Sequence, residues 1–449
     1  MLSALFDELL RRHGDRVAVS DGETTLTYRE LADAVRSARL PIPAVERPRV
    51  GLCAGNSTAY VVRYLALLHA GCVPFLIDRA TGPQDLDAIV ADCGLDLLLH
   101  EENVTTFTPH QRPDLHADTE VCRFTSGSTG RPSCIEFSGH AVHRAAVNWV
   151  DGTKLTGDDR IACFATLANG LAFNTSLLAA FLVGAQLHLG RGLPTAGRVA
   201  RMLDGCGATR LVGFPALYES LVRRGQRSLG ALRLAISSAA PLSPEVKAAF
   251  TELTGVPVHN YYGAAEAGPL TFATEPLTDP GLGRPLPGVS LRAGTPGEPA
   301  PIEVRSESMG TRYLNAPGLL ESRLTDDGHY RTGDLGYLDG GSLVLTGRTS
   351  HMVNVGGRKV DAVEVASVLR DAPGVEDAVV LEVADRHGAP ALGAVLAGSP
   401  DATEVRRYAA TRLAPHQVPA LVRTVPLIPR GSTGKPATAQ LRRMFETTS

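Results

Sequence analysis

Short apolar runs alternate with amphipathic stretches along this chain, and 46 glycines and 30 prolines divide them at close intervals. Residues 27–37 open as a helix, with Thr27 placed as N-cap and Glu30 three residues on, the reciprocal capping arrangement. Residues 59–69 form a second amphipathic candidate. Residues 72–77 are an apolar run of the length of a buried strand. Further strands are expected at 161–164, 185–189, 210–213 and 232–236, with helical stretches between them. This repeated alternation predicts an α/β fold with largely parallel sheets. The most apolar region, 167–189, is interrupted by Asn169, Asn174 and Gln186, so it reads as core and not as a membrane span.

After Arg348 the pattern changes. A helix at 363–370, strands at 375–383 and 391–396 and a helix at 403–413 make a small α+β unit. The expected division is therefore a large layered domain, 1–348, and a smaller C-terminal one, 349–449. Length agrees, because 449 residues exceed what one core holds, about 250–300. At 44% hydrophobic and 20% charged the chain can bury sizeable cores. A net charge of -3 gives no electrostatic footprint for nucleic acid or a membrane surface. The first residues carry Asp7 and Glu8 with no long apolar stretch, so no signal peptide is expected. Seven cysteines stand singly, which reads as free thiols in a reducing cytoplasm.

The first chemical feature is Phe-Thr-Ser-Gly-Ser-Thr-Gly-Arg-Pro-Ser at 124–133. Backbone N–H groups of a glycine-rich turn converge on phosphate oxygens, and small hydroxyls add donors. It is not a Walker loop, which needs Gly-Lys followed by Ser or Thr, and taken alone such a run is more often a surface loop. It resembles, however, the phosphate loop of the adenylate-forming superfamily, which comprises acyl-CoA synthetases, peptide-synthetase adenylation domains and luciferases. Thr125, Ser126, Gly127, Ser128, Thr129, Gly130 and Pro132 match; Ser133 replaces the family lysine and Cys134 the following glycine. Other family motifs follow in order. Leu-Thr-Tyr-Arg-Glu-Leu at 26–31 and Ala-Gly-Cys-Val-Pro-Phe-Leu-Ile-Asp at 70–78 resemble the opening pair. Asn-Tyr-Tyr-Gly-Ala-Ala-Glu at 260–266 resembles the adenine and metal motif. Tyr-Arg-Thr-Gly-Asp at 330–334 resembles the ribose motif, Gly347 with Arg348 the hinge motif, and Pro-Arg-Gly-Ser-Thr-Gly-Lys at 429–435 the C-terminal lysine motif. Each is weak alone; the ordered set is specific and covers almost the whole chain.

The resemblance implies an ATP- and Mg²⁺-dependent enzyme that joins a carboxylic acid to AMP, releases pyrophosphate and passes the acyl group to a thiol. Under it the small domain is a mobile lid turning about Ser350. Tyr262 stacks on adenine, Asn260 meets its edge, and Gly263 belongs to the same motif. Asp334 accepts from the ribose hydroxyls, Arg348 serves ribose or phosphate, and Glu266 supplies a hard oxygen to Mg²⁺. Lys435 is the catalytic residue, a fixed ammonium that meets charge building on the transferring phosphoryl group. Gly356, Gly357, Arg358 and Lys359 form the loop brought toward the acceptor thiol. Two departures touch phosphate handling: Ser133, and Ala265 where the family has threonine.

The acid pocket is carried over by counting: Asn169, Gly170, Phe173, Val212, Ile236, Ser238, Tyr261, Pro269 and Leu270. Asn169 either faces the acid or satisfies backbone groups at a turn. No Asp or Glu occurs between Ile161 and Gly190, so an ammonium would lack a partner there. That disfavours an ordinary α-amino acid and favours a neutral-tailed or hydroxylated aryl acid. The acceptor stays open between CoA and the phosphopantetheine of a separate carrier protein. An amide synthetase using an amine acceptor, or a non-catalytic acyl- or nucleotide-binding member, is the alternative.

Overall fold

The computed structural model describes residues 1–125, 132–192, 194–227, 229–238, 242–277, 281–348, 352–355, 358–384, 390–413, 415–431 and 436–446. The chain divides into two compact units. The first comprises Met1–Arg292, Glu303–Arg331 and Asp339–Leu343; the second comprises Ala293–Ile302, Thr332–Leu338 and Val344–Ser449.

The first unit is built on two sheets with helices between their strands. In the nine-stranded sheet, Val17–Ser20, Gln186–Leu189, Arg160–Cys163, Arg210–Gly213, Leu234–Ser237 and Val258–Ala264 are neighbours in that order and mutually parallel. Antiparallel strands close both edges: Thr25–Thr27 on one side, Gly268–Phe272 and Arg284–Pro285 on the other. Parallel strands are joined by crossovers that cover both faces, and Arg210–Gly213 and Leu234–Ser237 are accordingly buried at every position. The seven-stranded sheet repeats the plan, with Thr119–Thr125, Val73–Ile77, Arg49–Cys53 and Leu97–His100 parallel at its centre and antiparallel strands at its edges.

Local chemistry sets the element ends. Thr27 caps the helix Tyr28–Ser37 in a full capping box: its side chain accepts from the Glu30 N–H, and the Glu30 carboxylate accepts from the Thr27 N–H. Residues 170–183 form a buried helical segment with a π-helical turn at Phe173–Leu177, ended by Gly184 at φ 74°. Such turns insert one residue into a helix and re-aim the side chains around it. All seven cysteines are free thiols, six of them buried.

In the second unit the hairpin Met352–Val355 with Arg358–Asp361 leads into the helix Ala362–Arg370. A three-stranded sheet follows, Val375–Ala384 antiparallel to Pro390–Gly398 and Leu421–Val425 parallel to the latter. Val365, Leu369, Leu396 and Val405 fill one side of it; Leu381, Val395, Ile428 and Leu441 fill the other. A four-stranded sheet orders Val289–Arg292, Ala300–Ser306, Tyr330–Asp339 and Ser342–Arg348. Among the described residues no helix is long and apolar enough to cross a membrane.

Candidate active site

The pleat of the large sheet sorts the residues of the strand Val258–Ala264. Ala162, Leu211, Ala235 and Val258, on four adjacent strands, enter one core cluster. Alternation sends the next residues, Cys163, Val212, Ile236 and His259, to the opposite face. Val212 is the direct partner of Ile236, and Ile236 of His259. Continued along the strand, the same alternation puts Tyr261 on the Val212–Ile236 face and Asn260 and Tyr262 on the other. The residues expected to line the acid are thus separated from those expected at adenine.

Asn260 donates from Nδ2 to the Gly281 carbonyl at 2.9 Å. Ser238 donates its hydroxyl to the Tyr261 carbonyl at 3.0 Å. The Tyr261 ring meets Trp149 edge-on, with centroids 4.9 Å apart. After Tyr262 the strand register slips. At Gly263 a Cβ would lie 2.4 Å from the Tyr261 hydroxyl and 2.8 Å from the Gly268 carbonyl, so only glycine fits against that ring. Pro269 and Leu270 follow on the buried strand Gly268–Phe272, against which the short helix Gly170–Ala172 packs.

Asn169 is the N-cap of that helix: its Oδ1 accepts from the Leu171 N–H at 2.9 Å. The turn-satisfying reading of this residue therefore holds for its carbonyl oxygen. Its amide nitrogen is left without a partner among the described residues, so the same side chain still offers two donors. Phe173 is fully buried and edge-on to Tyr64 at 5.6 Å. Val212, Ile236, Phe173 and Leu270 are all sealed, whereas Asn169 and Gly170 are half-buried.

Glu266 is half-buried and accepts from the Tyr313 hydroxyl at 2.6 Å. Burial, and then the Glu266 charge, push the Tyr313 pKa upward. Nearby Tyr330 is raised the same way, to about 12, and accepts from Arg323 Nη1 at 3.1 Å. A carboxylate oriented by a protonated phenol fits Mg²⁺, which takes few protein carboxylates and completes its shell with phosphates and water. It does not fit a protein-caged metal, since no group of three His, Cys, Asp or Glu converges among the described residues. Ala265 is exposed. Ser133 is buried on the strand Ser133–Ser138, directly opposite Thr125.

Asp334 belongs to the second unit and is buried there. Its N–H donates to Thr332 Oγ1 at 3.2 Å, and that hydroxyl donates to the Ile302 carbonyl. Arg348 ends the strand Ser342–Arg348, and Arg358 and Lys359 open the second strand of the hairpin. Ser126, Gly127, Ser128, Thr129, Gly130, Ser350, Gly356, Gly357 and Lys435 lie outside the described residues.

One residue escaped the sequence reading. Arg123, on the strand Thr119–Thr125, is only 4% exposed. Its guanidinium lies 4.1 Å from the Phe137 ring centroid and 5.4 Å from that of Phe173. A Cβ on Gly170 would come within 2.8 Å of its Nη1. Burial lowers its pKa to about 10, against the opposing pull of Tyr261, Tyr64 and Glu266. The available signal was an arginine set in an apolar strand directly ahead of the glycine-rich loop. A surface depression of about 500 Å³ lined by Thr195, Arg201 and Arg223 shares no residue with this constellation.

The model of a family described as AMP-binding enzyme matches residues 6–123 and 100–314. Anthranilate–CoA ligase of Pseudomonas aeruginosa is 26% identical over 93% of this chain and 90% of its own. Feruloyl-CoA synthase of an Amycolatopsis species is 28% identical over 95% of this chain and 96% of its own. The structure of ATP-bound MatB from Rhodopseudomonas palustris has a TM-score of 0.81 at 22% identity and covers 99% of both chains, which shows a shared fold.

Proposed function

We propose, from the premise that this chain belongs to the AMP-binding enzyme family, that it activates a carboxylic acid with ATP and transfers the acyl group to a thiol. The observation that carries this reading is the strand Val258–Ala264. It turns Tyr261 to one face and Asn260 and Tyr262 to the other, and its continuation reaches Glu266. Acid, nucleotide and metal-binding carboxylate would then meet at the carboxyl ends of parallel strands, where open α/β sheets bind ligands.

In the first half-reaction a carboxylate oxygen of the acid attacks the α-phosphorus, and pyrophosphate leaves with the electrons of the broken P–O bond. Lys435 supplies a positive charge to the oxygens of the transferring group, where stabilisation grows toward the transition state. Asp334 holds the ribose, and Tyr262 and Asn260 hold the base. Glu266, kept in place by Tyr313, would hold Mg²⁺, which neutralises phosphate oxygens when bound. In the second half-reaction a thiolate attacks the acyl carbon and AMP leaves. The loop containing Gly356, Gly357, Arg358 and Lys359 guides that thiol, after the C-terminal domain turns about Ser350.

The acid is aromatic. Tyr261, Phe173, Val212 and Ile236 offer apolar surface on one side of the sheet, and Asn169 offers a polar contact. The relatives named for anthranilate and ferulate support this choice. A cation at Arg123 and the lack of any Asp or Glu from Ile161 to Gly190 disfavour a substrate ammonium. Pyrophosphate release with a panel of aromatic and aliphatic acids tests the reading. CoA, a phosphopantetheinylated carrier protein and amines, added in turn, then identify the acceptor. No release with any acid would overturn it.

A further inference from the structure

Three arginines of the first unit are buried to 4% exposure or less: Arg49, Arg123 and Arg210. Two are held by the protein through their terminal nitrogens, although the Nε of each is without a hydrogen bond. Arg49 donates from its terminal nitrogens to the carbonyls of Cys93 and Pro113 at 2.8 and 2.5 Å. Arg210 donates to Thr153 Oγ1 and to the Thr153 and Lys154 carbonyls, and pairs with Asp159 at 3.0 Å. Arg123 makes no such bonds among the described residues. Its Nε and Nη1 are buried without a hydrogen-bond partner, and no carboxylate pairs with it among the described residues. A buried guanidinium left this way is strongly unfavourable, and folded chains tolerate it where a partner arrives from outside.

The position of Arg123 identifies that partner. Its Nη1 lies against Gly170, which leaves room for it because a methyl group there would meet it at 2.8 Å. Its plane is flanked by Phe137 and Phe173, and Tyr261, Tyr64 and Glu266 are the groups that oppose the burial lowering its pKa. Gly170, Phe173 and Tyr261 are the acid-lining residues of the proposed function, on which this inference rests. Two more orphaned polar atoms border the spot: Asn174 Oδ1, and the hydroxyl of Tyr64, whose ring packs on Phe173. An otherwise apolar wall therefore holds the donors of Arg123 and Tyr64 together with one acceptor, Asn174 Oδ1.

We infer that Arg123 receives a second carboxylate of the substrate, so that the enzyme activates a dicarboxylic acid on the carboxylate remote from Arg123. The planar fork of a guanidinium matches a carboxylate with two parallel bonds, whereas a hydroxyl or carbonyl accepts only one and leaves the charge unpaired. A phosphate oxygen of ATP is the competing occupant. The aromatic flanks and the contact with Gly170 place the guanidinium on the acid wall instead.

The test compares phthalate, isophthalate and terephthalate with benzoate, and glutarate with butyrate, in wild type, Arg123→Leu and Arg123→Lys. Two readouts are taken: kcat/KM and ATP KM by pyrophosphate release, and binding of the acids by calorimetry without ATP. The wild type should favour at least one diacid over its monoacid by about a hundredfold or more, the scale of discrimination a site built around a polar contact reaches. Arg123→Leu should abolish that preference by weakening the diacid and improving the monoacid, with ATP KM unchanged. Arg123→Lys, which keeps the charge without the fork, should retain part of it and guards against misfolding of the leucine variant. A wild type that binds monoacids as well as diacids overturns the assignment. So does an Arg123→Leu variant that loses ATP affinity and treats both acids alike. Selective diacid binding without pyrophosphate release would keep the Arg123 assignment and sink acid activation; selectivity for glutarate alone would keep Arg123 and sink the aromatic preference.

Discussion

Tyr313 donates its hydroxyl to Oε1 of Glu266 at 2.6 Å, across 47 residues of sequence. Burial and the neighbouring carboxylate raise the Tyr313 pKa, so the phenol stays a donor through neutral and mildly alkaline pH. Partners that orient a metal-binding carboxylate change metal affinity by about 10–100-fold when removed. Tyr313→Phe should therefore raise the Mg²⁺ concentration needed for half-maximal pyrophosphate release by about tenfold, with most of kcat recovered at saturating Mg²⁺. An unchanged Mg²⁺ titration would show that Tyr313 does not orient this carboxylate for a metal.

Asn169 spends its oxygen on the Leu171 N–H and keeps its amide nitrogen. Asn169→Asp preserves the capping oxygen and removes the donors. It should lower kcat/KM for acids carrying an acceptor oxygen far more than for the unsubstituted acid, at nearly constant thermal stability. Asn169→Ala should show the same loss of selectivity and also cost about 1 kcal/mol of stability through the lost cap. If Asn169→Asp slows matched substituted and unsubstituted acids by one common factor, the residue is a cap and nothing more.

The contrast between Asn169 and Arg123 marks what a sequence discloses. Periodicity and capping chemistry are local, so Thr27 and Glu30 announced their helix, and the apolar run at 210–213 coincides with the strand Arg210–Gly213. Two-residue edge strands such as Arg284–Pro285 and Arg312–Tyr313 carry no period of their own and exist only through pairing with Gly268–Phe272 and Ser133–Ser138. Tyr261 and Tyr262 are adjacent in sequence, and only the pleat reveals that they face opposite ways. Arg123 is the extreme case. A lone arginine reads as solvated until Gly170, Phe137 and Phe173, all distant in sequence or on other strands, enclose it. Glu266 was legible as a motif residue, but its partner Tyr313 was not.

Ser133 and Ala265 are the two departures from the motifs that the sequence resembles, and their surroundings differ. Ala265 is exposed, so Ala265→Thr should fold normally and leave adenylation unchanged or faster. Ser133 is buried opposite Thr125. A lysine there must enclose a four-carbon stem in an already packed strand, and overpacking costs about 1–3 kcal/mol. Ser133→Lys should lower the melting temperature without a gain in rate. A faster Ser133→Lys enzyme of unchanged stability would mean that the stem has an open path toward the phosphates.

Asp159 anchors the start of the strand Arg160–Cys163. It is fully buried, accepts from Thr209 Oγ1 and the Thr156 N–H, and pairs with Arg210 and Arg233. Burial pulls its pKa upward, but these hydrogen bonds and charges outweigh burial and hold it below the usual carboxylate value. Its stabilisation is therefore present above the unfolded-state pKa of about 3.9 and is lost as pH falls through the lower folded value. Asp159→Asn should cost about 3 kcal/mol at neutral pH and make the acid limb of a melting-temperature profile shallower. A parallel acid limb in the variant would remove Asp159 from the linkage.

The most direct measurement follows the oxygen atoms of the acid. The acid is supplied with heavy oxygen in its carboxylate, together with ATP, Mg²⁺ and a thiol acceptor, and AMP and pyrophosphate are analysed by mass spectrometry. If a carboxylate oxygen attacks the α-phosphorus, AMP carries one heavy oxygen and pyrophosphate none, and Lys435→Ala slows the appearance of both products by orders of magnitude. Formation of ADP with label in inorganic phosphate, or AMP free of label, would contradict activation through an acyl-adenylate.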